Sequence, residues 1–309
     1  MKVAVIDMGT NTFHLIIVEV FSGDFKIVFR QKDPVKIGEN GINNGMITEA
    51  AIQRALNSLN GFKSIIAEHG ADKTFATATS AIRNARNGRD LVELIRDKVG
   101  IETRVISGLQ EAEYIYFGVQ KALKIGPAPS LIMDIGGGSI EFIIGTDEEI
   151  LWKQSFEIGG QRMVEKFQRN DPMTEAQREE QRGYLGENLL ELFEACERLR
   201  PSALIGSSGT FDTLSEIHCH KAGVMLDQGL TEYPLSISGF EVIYREMISK
   251  NREERLAIPG MIPLRVEMIV VACELITYIL EKTKIKNIRV SAYALKEGVL
   301  LKTLHSLNT

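Results

Sequence analysis

One pattern occurs twice in this chain and limits its fold more than any other feature. Asp7-Met8-Gly9-Thr10-Asn11-Thr12-Phe13-His14 lines up with Asp134-Ile135-Gly136-Gly137-Gly138-Ser139-Ile140-Glu141. Asp, Gly and a hydroxyl fall at the same offsets. Each copy follows a short apolar run, residues 2–7 and 131–135, and precedes a β-rich segment. An apolar run that ends in Asp and glycine reads as a buried strand entering a tight turn. Both halves continue in the order strand, strand, helix, strand, helix. That order predicts a duplicated α/β unit, each half built on a mixed sheet.

The flanking segments fit the scheme. Residues 13–20 and 25–29 form a predicted hairpin around Ser22-Gly23-Asp24. Residues 48–68 have helical spacing with Thr48 as N-cap. Ser80 opens a stretch carrying Arg83, Arg86 and Arg89 at helical spacing. Ser107 and Gln110 stand at capping-box spacing before a helix that runs to about residue 123. Gly126-Pro127-Ala128-Pro129 is the linker candidate. Later strands are predicted at residues 140–145, 150–156, 203–205 and 287–291. The predicted lobes are residues 1–125 and 126–295, with the last helix, 296–309, packing back on the first lobe.

The chain's 309 residues suffice for two cores. With 36 Lys plus Arg against 41 Asp plus Glu, the formal charge is −5, which argues against a general nucleic-acid binder. No apolar run approaches the ~20 residues of a membrane span, and residues 1–10 lack a signal-type apolar stretch. Three scattered cysteines do not make a disulfide framework, so the expected compartment is the cytoplasm. An acidic chain can still bind an anion, because the field in a pocket is local.

Glycine-rich turns after buried strands let consecutive N–H groups converge on one anion. Residues 7–12 and 134–139 have this character. So does Gly206-Ser207-Ser208-Gly209-Thr210, which also opens a helix. Any one such loop reads equally well as a tight turn; three of them favour a phosphate site. An Asp beside such a loop suits a metal–phosphate centre, with Asp7, Asp134 and Glu141 as candidates. Taken alone, each Asp reads as a turn cap, and Glu141 as a solvent-facing strand residue. Glu111, in the first turn of its helix, reads alone as a dipole-favoured residue. His218-Cys219-His220 lie adjacent on a helix and cannot converge on one ion. Arg162, Lys166 and Arg169 read as a solvated helix face.

Five segments together resemble the exopolyphosphatase and guanosine pentaphosphate phosphohydrolase family. They are residues 7–15, residues 76–87 (Ala-Thr-Ala-Thr-Ser-Ala-Ile-Arg-Asn-Ala-Arg-Asn), residues 106–112 (Ile-Ser-Gly-Leu-Gln-Glu-Ala), residues 134–141 and residues 206–210. They fall in family order across nearly the whole chain. The resemblance implies the actin-like, ribonuclease-H-like duplicated fold, with a mixed five-stranded sheet in each lobe and the active site in the cleft between them. It implies Glu111 as general base for water attacking a terminal phosphorus. It implies Thr10, Asn11, Thr12, Arg83, Gly136, Gly137, Gly138, Ser139, Ser208, Gly209 and Thr210 as phosphate contacts. Asp134, Glu141 and Asp7 would hold Mg²⁺ or Mn²⁺. The implied substrates are inorganic polyphosphate or guanosine pentaphosphate, and the implied assembly is a homodimer.

The sequence departs from the family at Arg265-Val266-Glu267, where Arg-Ala-Asp is usual, and at Ala292 and Lys296. The resemblance covers the two lobes, and the helical C-terminal portion of longer members is not expected here. Two alternatives stay open: an ATPase or sugar kinase on the same fold, and an alarmone-binding sensor with little turnover.

Overall fold

The computed structural model describes residues 1–21, 24–227 and 229–308. Of the expected hairpin turn, Ser22 and Gly23 lie outside the described residues. The first sheet contains β1 (Lys2–Met8), β2 (Phe13–Phe21), β3 (Asp24–Asp33), β4 (Lys73–Ala78) and β5 (Thr103–Val105), in the order β3-β2-β1-β4-β5. The second contains β6 (Ser130–Ile135), β7 (Ile140–Gly145), β8 (Ile150–Phe156), β9 (Leu204–Ser207), β10 (Glu232–Tyr233) and β11 (Ile288–Ser291), in the order β10-β11-β9-β6-β7-β8. In each sheet an antiparallel meander of three strands continues into two parallel strands. The same topology therefore appears twice, which is the duplicated ribonuclease-H-like arrangement. The second sheet has one strand more than expected. β10 is two residues long and pairs antiparallel with β11, too short to carry any periodic signal.

The helices are α1 (Glu49–Glu68), α2 (Ser80–Asn84), α3 (Gly88–Val99), α4 (Gly108–Ala122), α5 (Gly160–Phe167), α6 (Glu175–Asn188), α7 (Leu190–Leu199), α8 (Ser208–Lys221), α9 (Ile237–Ser249), α10 (Arg252–Leu256), α11 (Met268–Thr283) and α12 (Leu295–Asn308). Local chemistry sets several starts. Thr48 accepts from the Ala51 N–H, and Ser107 and Gln110 form a reciprocal capping box. One expectation fails here. α2 stops at Asn84 because Ala85 is extended, so Arg83, Arg86 and Arg89 do not share a helix.

β6 and β7 are buried along their whole length, as central strands covered on both faces must be. The two sheets are joined through a swap. α4 packs against β7 and β8 of the second sheet, while α12 packs against β1 of the first sheet and against α4. One apolar cluster accordingly holds Val3, Val5 and Ile16 together with Ile132, Ile143 and Ile205, and includes Leu300 and Leu304. The two helices cross with their backbones almost touching. Gly118 lies against the Ala294 carbonyl and Gly298 against the Tyr114 carbonyl, where no Cβ fits.

Candidate active site

Strand register builds the site. Residues paired across neighbouring strands project from the same face of a sheet. In the first sheet Thr77, Asp7, His14 and Lys32 stand in one row across β4, β1, β2 and β3. In the second, Ser207, Asp134, Glu141 and Ser155 form the corresponding row across β9, β6, β7 and β8. The two rows repeat the sequence alignment in space, with Asp7 matching Asp134 and His14 matching Glu141.

The loops after β1 and β6 are made alike. Gly9 donates to the Thr12 carbonyl at 3.1 Å, while the carbonyls of Thr10 and Asn11 accept from Gly38 and Lys36. In the second loop the carbonyls of Gly136, Gly137 and Gly138 accept from Gly160, Gln161 and Gly159 at 2.8–3.2 Å. Among the described residues, the N–H groups of Thr10, Asn11, Thr12, Gly136, Gly137 and Gly138 donate to no protein acceptor. Loops whose carbonyls are tied back and whose amides are spare form anion-binding nests. The two nests are close: a Cβ on Gly138 would lie 2.6 Å from Thr10 Oγ1, so only glycine lets the loops meet.

Both loops line one cavity of about 80 Å³, enough for a few water-sized groups. Asp7, Glu111, Asp134, Ser139 and Ser208 also line it. Ser207 and Ser208 donate to Asp134 Oδ2 at 2.7 and 2.9 Å. Glu141 is 1% exposed and accepts from Ser155 Oγ at 2.6 Å, so the solvent-facing reading does not hold. It stands one strand behind Asp134. Gly209 and Thr210 begin α8 just outside the cavity wall, with Gly209 beneath the Arg265 guanidinium.

Arg83 does not line the cavity. Its Nη1 donates to Glu111 Oε2 at 2.8 Å and to the Ile106 carbonyl at 3.1 Å, and Nη2 donates to Glu157 Oε1 at 2.9 Å. It thus stands behind Glu111 as a clamp. Arg162 is likewise no part of a solvated face. It donates to the Gly138 and Ile42 carbonyls, tying the lobes together. Asn11 also reaches across, donating to Met268 Sδ at 2.6 Å.

The site crowds acids. Burial pushes the Glu111 carboxyl up to about 8, with Arg83 opposing and Asp7 and Asp134 adding to the rise. Burial also lifts Asp7 to about 7, against the pull of Lys296. Asp134 is raised by burial despite its two serine donors, and Glu141 is raised well above the carboxylate range by burial and by Glu111. These pressures call for positive charge. Arg265, unanticipated from its sequence position, supplies some: it lines the cavity, and its side chain has no hydrogen bond or salt bridge with any described residue. Ser80, which donates to Glu157 at 2.6 Å, and His14 were also missed. Arg265 ends a single 3-10 turn, Pro263–Arg265, too short to show periodicity; only the match to Arg-Ala-Asp marked it.

The donor set also fits a hard divalent cation. Asp7 Oδ1 is buried without a hydrogen-bond partner, and every candidate donor is oxygen. Among the described residues no three His, Cys, Asp or Glu side chains form a ready-made metal cage. Mg²⁺ is commonly held by one or two carboxylates plus water and phosphate oxygens, which Asp7 and Asp134 match. No helix among the described residues is long and apolar enough to cross a membrane.

Comparison with known proteins bears on this geometry. The family model described as "Ppx/GppA phosphatase family" matches residues 16–307. The chain is 25% identical over 311 residues to Exopolyphosphatase 1 of Mycobacterium leprae, covering 99% of this chain and 90% of that protein. An exopolyphosphatase structure from Cytophaga hutchinsonii superposes with a TM-score of 0.96 at 45% identity, covering 99% of this chain and 98% of that one. A Ppx/GppA family member from Aquifex aeolicus superposes with a TM-score of 0.81 at 25% identity, covering 100% and 99% of the two chains.

Proposed function

The chain belongs to the Ppx/GppA phosphatase family, and on that premise we propose that it releases orthophosphate from the end of inorganic polyphosphate. The observation that carries this reading is the placement of Glu111. This buried residue is presented by the first turn of α4 to the cavity that also holds both glycine nests, Asp7 and Asp134.

In the proposed reaction the spare N–H groups of the two nests grip the oxygens of the terminal phosphate. Arg265 offsets part of its charge. A water lies between that phosphorus and Glu111, whose Oε2 is fixed by Arg83. Glu111 accepts a proton as the water oxygen bonds to phosphorus. The P–O bond to the neighbouring phosphate breaks, and the shortened chain leaves with the bridging oxygen. Asp7 and Asp134 would hold Mg²⁺ or Mn²⁺, with Glu141 behind them; when bound, the cation supplies charge neutralisation. Positioning and electrostatics carry most of the acceleration in phosphoryl transfer. Guanosine pentaphosphate carries the same kind of terminal anhydride and is the second substrate to try.

The test is Glu111→Gln assayed for phosphate release from polyphosphate. Loss of a general base lowers kcat by about 10²–10⁴, with the fold intact by circular dichroism. Release at the wild-type rate would overturn the assignment.

A further inference from the structure

Two acids hold Arg83, and the proposed reaction uses only one of them. The other is Glu157. Arg83 stands on α2 of the first lobe. Glu111 is carried by α4, which packs on β7 and β8, and Glu157 directly follows β8. Both carboxylates therefore reach Arg83 from the side of the second sheet. Nη1 donates to Glu111 Oε2 at 2.8 Å and Nη2 to Glu157 Oε1 at 2.9 Å, so two nitrogens of one planar group are fixed at once.

We infer that Glu157 is a positioning residue: it holds the Arg83 guanidinium in the place from which Arg83 fixes Glu111, and it does so from the segment that also ties down the second glycine nest. The inference rests on the proposed phosphatase reaction, because it gives Glu157 a part in seating the general base.

Three observations support it. Glu157 gathers donors from both lobes. Ser80 Oγ donates to Oε2 at 2.6 Å, and Arg162 Nη2 reaches the same oxygen at 3.4 Å. Burial opposes the charge of Glu157, yet donation from Ser80, Arg83 and Asn84 holds its carboxyl below the usual range, so it is ionised beside Arg83. Its chain neighbours are locked to the nest. Gly159, Gly160 and Gln161 donate to the Gly138, Gly136 and Gly137 carbonyls, and a Cβ on Gly159 would lie 2.5 Å from the Gly137 backbone. The acid that holds Arg83 is thus set by the loop proposed to grip the phosphate. Finally, Ser80 and Glu111 line the cavity and Glu157 does not, so it acts through its partners and not on the substrate. An arginine held at one nitrogen keeps many rotamers, and one held at two keeps few.

The test is a double-mutant cycle on phosphate release from polyphosphate at neutral pH. Glu157→Ala lowers kcat about threefold to tenfold, the effect of partly exposed charge contacts, and leaves KM unchanged. In the Arg83→Gln background the same substitution lowers kcat by less than about twofold, because the group it positions is gone. Glu157→Gln, which keeps an acceptor for Ser80, takes its place in the cycle if the alanine variant does not fold. Glu165→Gln is the control. Glu165 also joins the lobes, accepting from the Asn40 N–H at 3.3 Å and from Asn43 Nδ2 at 3.0 Å, without touching Arg83. Its effect is the same in both backgrounds. Equal losses from Glu157→Ala with and without Arg83, a change confined to KM, or the same dependence on Arg83 in Glu165→Gln overturns the inference. A crystal structure of Glu157→Ala reads the geometry without catalysis. Arg83 Nη1 leaves Glu111 Oε2 in that variant, and a contact kept at 2.8 Å overturns the inference. If wild type releases phosphate from no substrate, the reaction is wrong, and that structure alone judges whether Glu157 positions Arg83.

Discussion

Arg83→Gln separates two roles that the sequence alone cannot. Loss of a phosphate-holding arginine and loss of a base-clamping arginine both lower activity, but with different pH dependence. In the structure Arg83 Nη1 lies 2.8 Å from Glu111 Oε2, and the two side chains are 15% and 9% exposed. A pair this close and this shielded interacts by up to about 6 kcal/mol at an effective dielectric of 20. Residual screening and relaxation reduce that figure, and a neighbouring cation typically moves a carboxyl by about 1–3 pH units. We take 1–2 units, about 1.4–2.7 kcal/mol. The sign follows from the acid's chemistry. Glu111 already sits high, at about 8, because burial opposes its charge while Arg83 favours it. Removing Arg83 raises it further, so the protonated, inactive form persists to higher pH. The acidic limb of the kcat/KM profile therefore shifts by 1–2 units to alkaline pH. Activity at neutral pH falls by about 10–100-fold and recovers in part as pH rises. The assay is phosphate release across the pH range at saturating divalent cation. A limb that stays in place under a uniformly lowered rate would refute the argument and return Arg83 to the substrate.

Two further outcomes follow from single observations. Chelation with EDTA abolishes phosphate release, and Mg²⁺ or Mn²⁺ restores it, because the raised Asp7 and Asp134 need a counter-charge; undiminished release in EDTA would remove the cation from the reaction. Arg255→Met lowers thermal stability. The fully buried guanidinium donates to Asp171 at 2.6 Å and to the Val266 carbonyl at 3.0 Å; because the Asp171 side chain is 34% exposed, the loss is that of charge-assisted hydrogen bonds, about 1.5–3 kcal/mol, and not that of a fully buried pair. The melting temperature drops by roughly 3–6 °C, and an unchanged value would show that the pair is stability-neutral.

The parts of the site that were legible in the sequence are those set by neighbours along the chain. Strand, aspartate and glycine turn follow one another within a few residues, so the nests at residues 9–12 and 136–139 and the capping box before Glu111 could be read directly. What could not be read depends on long sequence separation. Arg265 and Lys296 come from distant segments, and Lys32 enters only because β2 and β3 pair in the register that sets it beside His14. The role of Arg83 depended on which side of Glu111 it stands, and spacing carries no such information. The packing of α4 on the second sheet was also hidden, since an apolar helix face does not say which sheet it covers.

Duplication followed by divergence explains how an acidic chain can serve a polyanion. The two rows occupy equivalent positions in the two sheets, Asp beside a strand residue beside an edge residue. In the second lobe that row reads Asp134, Glu141, Ser155 and stays acidic, with serines donating to both carboxylates. In the first it reads Asp7, His14, Lys32 and turns basic toward its end. His14 is held well below its usual range by burial and by Lys296 and Lys32, so it stays neutral and bridges acid to base without adding charge. The cleft therefore has an acidic wall that suits a divalent cation and a wall that becomes cationic away from the catalytic centre. On the proposed reading, a chain of phosphates drawn through it would meet a bound cation at the cleaved end and the basic end of the first row behind. The −5 of the whole chain then resides elsewhere, and the field that the substrate meets is set by these two rows.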